Sequence, residues 1–191
     1  MFIGRDRELA TLNKLYKSNK FEFTVIYGRR RVGKTALINQ FIEGKNAIYF
    51  MGVESNAKQN LENFSKSIIE YNTGIETETS FLSFQAALEY VFKLSEKERL
   101  ILAIDEYPYV ARSSKSLAST LQLMIDKYKD SSKLMLILCG SSMSYMEDHV
   151  LAADPLGGLA GKSEFQGAGH LKPGLAGHHA RAHVGRPYAG R

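Results

Sequence analysis

The chain alternates short, densely apolar runs with longer stretches in which apolar residues recur every three or four positions. The dense runs cover residues 21–27, 46–50, 99–104 and 133–139. They are rich in β-branched, aromatic and aliphatic side chains and predict strands. The last two have no polar alternation, as in strands buried on both faces of a parallel sheet. Between the runs, Leu9, Leu12 and Leu15 or Tyr16 stand at helical spacing, and residues 36–42 read as a second helix. Leu61, Phe64, Ile68 and Tyr71 mark a third, Phe84, Leu88, Val91 and Leu94 a fourth, and Leu117, Leu121, Met124 and Tyr128 a fifth. Each such stripe predicts one helix face packed on a sheet. Asp6, Ser55 and Ser83 are the expected N-caps of three of these helices. Residues 72–80 are polar, include Gly74 and are expected to form a surface loop.

The periodicity stops at about residue 151. The last 41 residues hold nine of the 16 glycines, four of the five histidines and three of the four prolines, and no isoleucine. This composition predicts a low-order tail over residues 151–191 behind an ordered body over residues 1–150. His170, His178, His179 and His183 lack the accompanying cysteine or carboxylate pattern of a metal site, so no metal is assigned to them.

Candidate chemistry centres on the segment from Tyr27 to Thr35, which contains Gly28-Arg29-Arg30-Arg31-Val32-Gly33-Lys34-Thr35. A strand precedes it and a helix follows, the arrangement of a loop whose backbone N–H groups cradle phosphate. Gly28 and Gly33 let the backbone curl towards an anion. Lys34 is expected to reach the β- and γ-phosphates, and the Thr35 hydroxyl to hold Mg²⁺. Of Arg29, Arg30 and Arg31, at least one is expected to be a solvated loop tip, since so short a loop cannot aim three long side chains at one ligand. Some 70 residues on, the third strand ends in Asp105-Glu106. Asp105 is expected to face the metal through water, and Glu106 to activate an attacking water as general base. Pro108 is read as the end of that strand. Ser141 or Ser142, at the end of the fourth strand, either hydrogen-bonds the γ-phosphate or attacking water, or caps a helix over residues 143–149.

Charge and cysteine content narrow the setting. The net charge is +5. Five basic and two acidic residues of the tail supply +3 of it, so the body is nearly neutral and nucleic-acid binding is not supported. The single cysteine, Cys139, excludes an internal disulfide framework and reads as a buried core residue. No apolar run has the length of a membrane span, and the N-terminus lacks a signal peptide's apolar segment. A cytoplasmic protein without membrane contact is expected.

Residues 2–9 (Phe2-Ile3-Gly4-Arg5-Asp6-Arg7-Glu8-Leu9), the loop, Ala103-Ile104-Asp105-Glu106-Tyr107-Pro108-Tyr109 and Cys139-Gly140-Ser141-Ser142 stand in an order that resembles the archaeal-type ATPases, a family of AAA-like P-loop proteins. The resemblance covers residues 1 to about 150. It implies a three-layer αβα sandwich with a mostly parallel sheet in the order 5-1-4-3-2, and ATP and Mg²⁺ as ligands. Carried over by position, Lys34 and Thr35 bind phosphate and metal, Asp105 supports Mg²⁺, Glu106 activates water, and Ser141 or Ser142 stands in the sensor position. Phe2 to Arg5 either lines the base-binding side of the pocket or simply leads into the first helix. Beyond residue 150 the sequence departs from the family, and no segment there has the apolar run of a fifth strand. The first strand is therefore expected to be an open edge and hydrolysis to be weak or absent. A non-catalytic ATP-dependent interaction module and a small-molecule kinase are the alternatives. Expected partners are the nucleotide and either a further copy of the chain or a protein client.

Overall fold

The computed structural model describes residues 5–75, 78–151, 163–166 and 170–172. The four dense apolar runs form the parallel strands β1 (Glu22–Tyr27), β2 (Ala47–Met51), β3 (Leu100–Asp105) and β4 (Leu134–Gly140). Every residue of β1, β3 and β4 is buried, whereas β2 alternates between buried and partly exposed positions. The first three lie inside the sheet, and β2 is an edge.

Helices cover both faces. On one, α1 (Asp6–Lys17) and α2 (Lys34–Ile42) place Leu12, Leu37, Ile38 and Phe41 against Ile26, Ile101, Ala103, Ile137 and Cys139. On the other, α3 (Ala57–Thr73), α4 (Phe84–Lys97), α5 (Tyr107–Ser113) and α6 (Leu117–Tyr128) pack on Val25, Phe50, Leu102, Ile104 and Leu136. Ile101 and Leu102 thus serve opposite layers, as the two-residue period of a strand requires. The expected stripes are in the core: Phe64, Ile68, Leu88 and Val91 are fully buried, with Leu61, Tyr71 and Leu94 packed at the margin. No helix among the described residues is long and apolar enough to cross a membrane.

Several boundaries differ from expectation. Ser83 caps α4 through a 3.1 Å bond from Ala86 N–H to its Oγ. The cap of α3 is Asn56 rather than Ser55; its Oδ1 accepts Gln59 N–H at 2.9 Å. Asp6 is the first residue of α1 and not its cap, and its acidic side chain sits in the first turn, where the helix dipole favours it. The sequence also concealed α5. Pro108 does not merely end β3; it lies in the first turn of this seven-residue helix, where a missing N–H costs nothing. A short helix α7 (Met143–Met146) follows β4 and runs into one π-helical turn, Glu147–Leu151.

The largest correction concerns the edge of the sheet. Strand order is β2-β3-β4-β1-β5-β6, with β5 (Ser163–Gln166) parallel to β1 and β6 (His170–Lys172) antiparallel to β5. Read from the other side, the first five strands have the implied order 5-1-4-3-2. The expectation that β1 would be an open edge therefore fails: Thr24 to Tyr27 pair with Ser163 to Gln166. The physical reason is that strand pairing runs through backbone N–H and C=O groups, so a four-residue segment needs no apolar run to provide it. His170 falls in β6; His178, His179 and His183 lie outside the described residues.

The register brings the strand ends level. Tyr27 pairs with Gly140, Ile104 with Leu138 and Met51 with Asp105. The residues that follow each strand consequently gather at one rim, the carboxyl end of the sheet, where ligands bind in open α/β folds. The rim is closely packed. A Cβ on Gly140 would lie 2.8 and 2.9 Å from two ring carbons of Pro108 and 2.9 Å from the Met146 sulfur. One on Gly52 would lie 2.8 Å from the Glu106 carbonyl oxygen. Buried Asn60 accepts Val53 N–H at 3.0 Å and donates to the Val53 carbonyl at 3.1 Å and to Ser113 Oγ at 3.3 Å, which ties the turn after β2 to α5.

Gly140→Ala should destabilise the protein by about 1–3 kcal/mol, because the proline ring against it cannot rotate away. Denaturant unfolding of the two proteins checks this. An unchanged midpoint would mean that β4 and α5 approach less closely than described.

Candidate functional site

The glycine-containing loop leaves β1 at Tyr27 and enters α2 at Lys34. Its curl depends on left-handed backbone: φ is 150° at Gly28, 82° at Gly33 and 64° at Arg31. Gly33 is the residue that precedes α2, and no side chain caps that helix start. Its first N–H groups are thereby left to an incoming ligand. Lys34 is only 6% exposed, and its ammonium donates to the carbonyls of Gly28 and Arg29, both at 3.0 Å. A buried ammonium needs acceptors, and the loop's own carbonyls supply them. Val32 is fixed from outside the loop, since the Arg5 guanidinium donates to its carbonyl and lies 3.8 Å from Glu8. Phe2 to Gly4 lie outside the described residues.

The arginines divide as geometry demands. Arg29, Arg30 and Arg31 are all exposed, and Arg30 donates to the Tyr109 hydroxyl at 2.8 Å. The tip of the loop is thus docked on α5, which the sequence did not indicate.

Asp105, 1% exposed, is the meeting point of loop and strands. Its Oδ2 accepts the Thr35 hydroxyl at 2.7 Å and the Tyr49 hydroxyl at 3.0 Å, and its Oδ1 accepts Glu106 N–H at 2.8 Å. The Cys139 thiol shares this environment. Burial first, and then the negative charge of Asp105, push the Tyr49 and Cys139 pKa values up, so both remain neutral beside the carboxylate. Cys139 is the buried core residue expected from sequence, and Tyr49 is a site residue that sequence reasoning missed. Its position in an apolar run gave no sign that its hydroxyl reaches the neighbouring strand's terminal carboxylate.

Glu106 takes the left-handed conformation, φ 48° and ψ 40°, at the residue before α5. Non-glycine residues seldom adopt it, and it turns the chain sharply out of β3. The Glu106 carboxylate accepts Ser141 Oγ at 3.0 Å and Ser141 N–H at 3.4 Å. Ser142 precedes α7 without capping it through its side chain, and its Oγ accepts a 3.3 Å bond from Arg112, which also stacks on Tyr145 with 5.0 Å to the ring centroid. The two serines therefore have separate partners: Ser141 faces the carboxylate of Glu106 and Ser142 faces α5.

A small cation fits this donor set. Among the described residues no group of three or more His, Cys, Asp or Glu forms a protein cage. Mg²⁺ does not need one, because it is held by one or two side-chain oxygens with water and phosphate completing its shell. Thr35 and Asp105 offer hard oxygens of that kind at a common point.

Residues 2–160 match the family model described as an ATPase domain predominantly from Archaea. An uncharacterized protein of Methanocaldococcus jannaschii is 35% identical over 152 residues, which are 80% of this chain and 32% of that relative. An uncharacterized ATP-binding protein of the same organism is 49% identical over 45 residues, 24% of this chain and 76% of that protein. Among solved structures, the Walker-type ATPase of Pyrococcus abyssi superposes with a TM-score of 0.64 at 21% identity, covering 86% of this chain and 54% of that one. The Aeropyrum pernix ORC1 protein, solved in complex with DNA, gives 0.62 at 15% identity, covering 92% and 52%. These structural likenesses concern the fold. The chain spans about a third of the first relative's length and about half of each solved structure. On the family match, which takes in most of its length, the chain belongs to the ATPase-domain family found predominantly in Archaea.

Proposed function

We propose that this chain binds ATP with Mg²⁺ at the loop and directs water at the γ-phosphate. One observation carries the reading. The Thr35 hydroxyl and the Asp105 carboxylate, 70 residues apart, meet at 2.7 Å. That contact joins a phosphate-cradling loop to the acidic end of a buried strand, a pairing with an obvious use in nucleotide triphosphate chemistry. It also suits the ATPase-domain family to which the chain belongs.

Each group has a physical task in this reading. The N–H groups at the start of α2 receive phosphate oxygens. Lys34 exchanges two neutral carbonyls for anionic oxygens, a stronger partnership for a cation. Thr35 and Asp105 would hold Mg²⁺, which supplies charge neutralisation at the β- and γ-phosphates. Glu106 orients and deprotonates water, and Ser141 holds its carboxylate until then.

The Glu106–Ser141 contact also favours a second reading, in which bound nucleotide rather than turnover is the output. With its general base tied to a serine, the site hydrolyses slowly until that bond is broken. A kinase role has less support, because an adjacent carboxylate pair directed at water works against transfer to another acceptor.

Three measurements test these assignments. Lys34→Ala should weaken ATP binding by about 1.5–3 kcal/mol, or roughly 10- to 100-fold, in calorimetric titration; equal affinities would remove the loop as the site. Asp105→Asn should lose most of the Mg²⁺ dependence of binding while still binding nucleotide in EDTA. Glu106→Gln should bind ATP as the parent does and release phosphate more slowly in a single turnover. If the parent is already as slow as Glu106→Gln, the second reading is the correct one.

A further inference from the structure

Two hydroxyls converge on the same oxygen of Asp105, and the phosphate-loop reading uses only one of them. Thr35 belongs to the loop. Tyr49 comes from β2, the strand on the far side of β3, and its ring packs in the core layer beneath α2. From there its hydroxyl donates to Asp105 Oδ2 at 3.0 Å, beside the 2.7 Å bond from Thr35. Glu106 N–H holds the other oxygen at 2.8 Å.

A carboxylate has about four lone-pair directions. Three are taken by these donors, and the Cys139 thiol, a weak donor, lies beside the group. The carboxylate is therefore fixed in plane and rotation before any ligand arrives, with one acceptor direction left for a metal-bound water. A Thr hydroxyl can donate its proton and still offer lone pairs to a cation. A cation drawn to Thr35 thus meets an oxygen whose direction Tyr49 has helped to set.

We infer that Tyr49 is a positioning residue for the divalent cation: its hydroxyl orients Asp105 towards a metal-bound water at Thr35. This rests on the nucleotide-site reading above. Tyr49 touches neither phosphate nor cation; it acts through Asp105, as outer groups commonly do at metal sites. Its contribution is orientation, so its loss should appear in metal dependence and leave the loop's grip on phosphate alone.

The test uses Tyr49→Phe, which keeps the ring and its packing. A fluorescent ATP analogue is titrated first in EDTA, then held at saturation while Mg²⁺ is varied. In EDTA the variant should match the parent within about two-fold. The Mg²⁺ half-saturation concentration should rise roughly 5- to 20-fold, the effect of one lost hydrogen bond to a charged group. Repeating the substitution in an Asp105→Asn background separates positioning from packing. There Tyr49→Phe should have almost no further effect on the Mg²⁺ response. Superimposable Mg²⁺ curves for parent and Tyr49→Phe overturn the inference while leaving the nucleotide site standing. A Mg²⁺ loss in Tyr49→Phe that comes with weaker analogue binding in EDTA and a lowered melting temperature overturns it in favour of a packing role. A parent that binds the analogue neither with nor without Mg²⁺ overturns the nucleotide reading itself, and the inference with it.

Discussion

A buried carboxylate has to be surrounded by donors, and the upper half of this molecule is arranged around that need. Asp105 ends a strand in the middle of the sheet at 1% exposure. An ionised group so placed is costly unless hydrogen bonds compensate it. The compensation comes from four separate pieces of chain: the start of α2 through Thr35, the edge strand β2 through Tyr49, the turn into α5 through Glu106 N–H, and β4 through the neighbouring Cys139. Each can reach Asp105 only if its strand or helix is in register. The polar demand of one side chain thereby reports on the assembly of three strands and the loop.

The same economy extends to the other ionisable groups of the rim. Lys34 rests on loop carbonyls, Glu106 on Ser141, Arg30 on Tyr109, and Arg112 on Ser142 and Tyr145. The charged side chains of the site thus have protein partners, and a ligand that engages them has to exchange bonds there, while adding bonds only at the uncapped start of α2. Exchange favours a highly charged anion, since only charge-assisted bonds surpass the neutral ones given up.

Much of this was legible in the residues. Buried strands announce themselves by continuous apolar runs, and glycines between a strand and a helix announce a tight turn onto a helix N-terminus. The meeting of Thr35 and Asp105 follows from those two signals. What escaped was whatever depends on geometry without a periodic signature. Tyr49 looked like one more strand aromatic, because its hydroxyl's destination lies on another strand. The seven-residue α5 is too short for a hydrophobic stripe, and its proline read as a terminator. Strand β5 escaped because backbone pairing leaves no compositional mark over four residues. The split between Ser141 and Ser142 could not be read either, since adjacent serines differ only in where the chain points them.

The level ending of the strands bears on how sequences of this kind can change length. One residue inserted within β1, β3 or β4 would push its terminal group about 3.3 Å beyond the rim and swap the two faces of everything after it. In β1 or β3 either effect alone separates Thr35 from Asp105, and in β4 it takes Ser141 away from Glu106. Length variation is therefore confined to places where neither register nor facing is at stake, such as the polar segment around Gly74, between α3 and α4. Insertions that diversify such a chain should accumulate there and leave the strands with fixed residue counts.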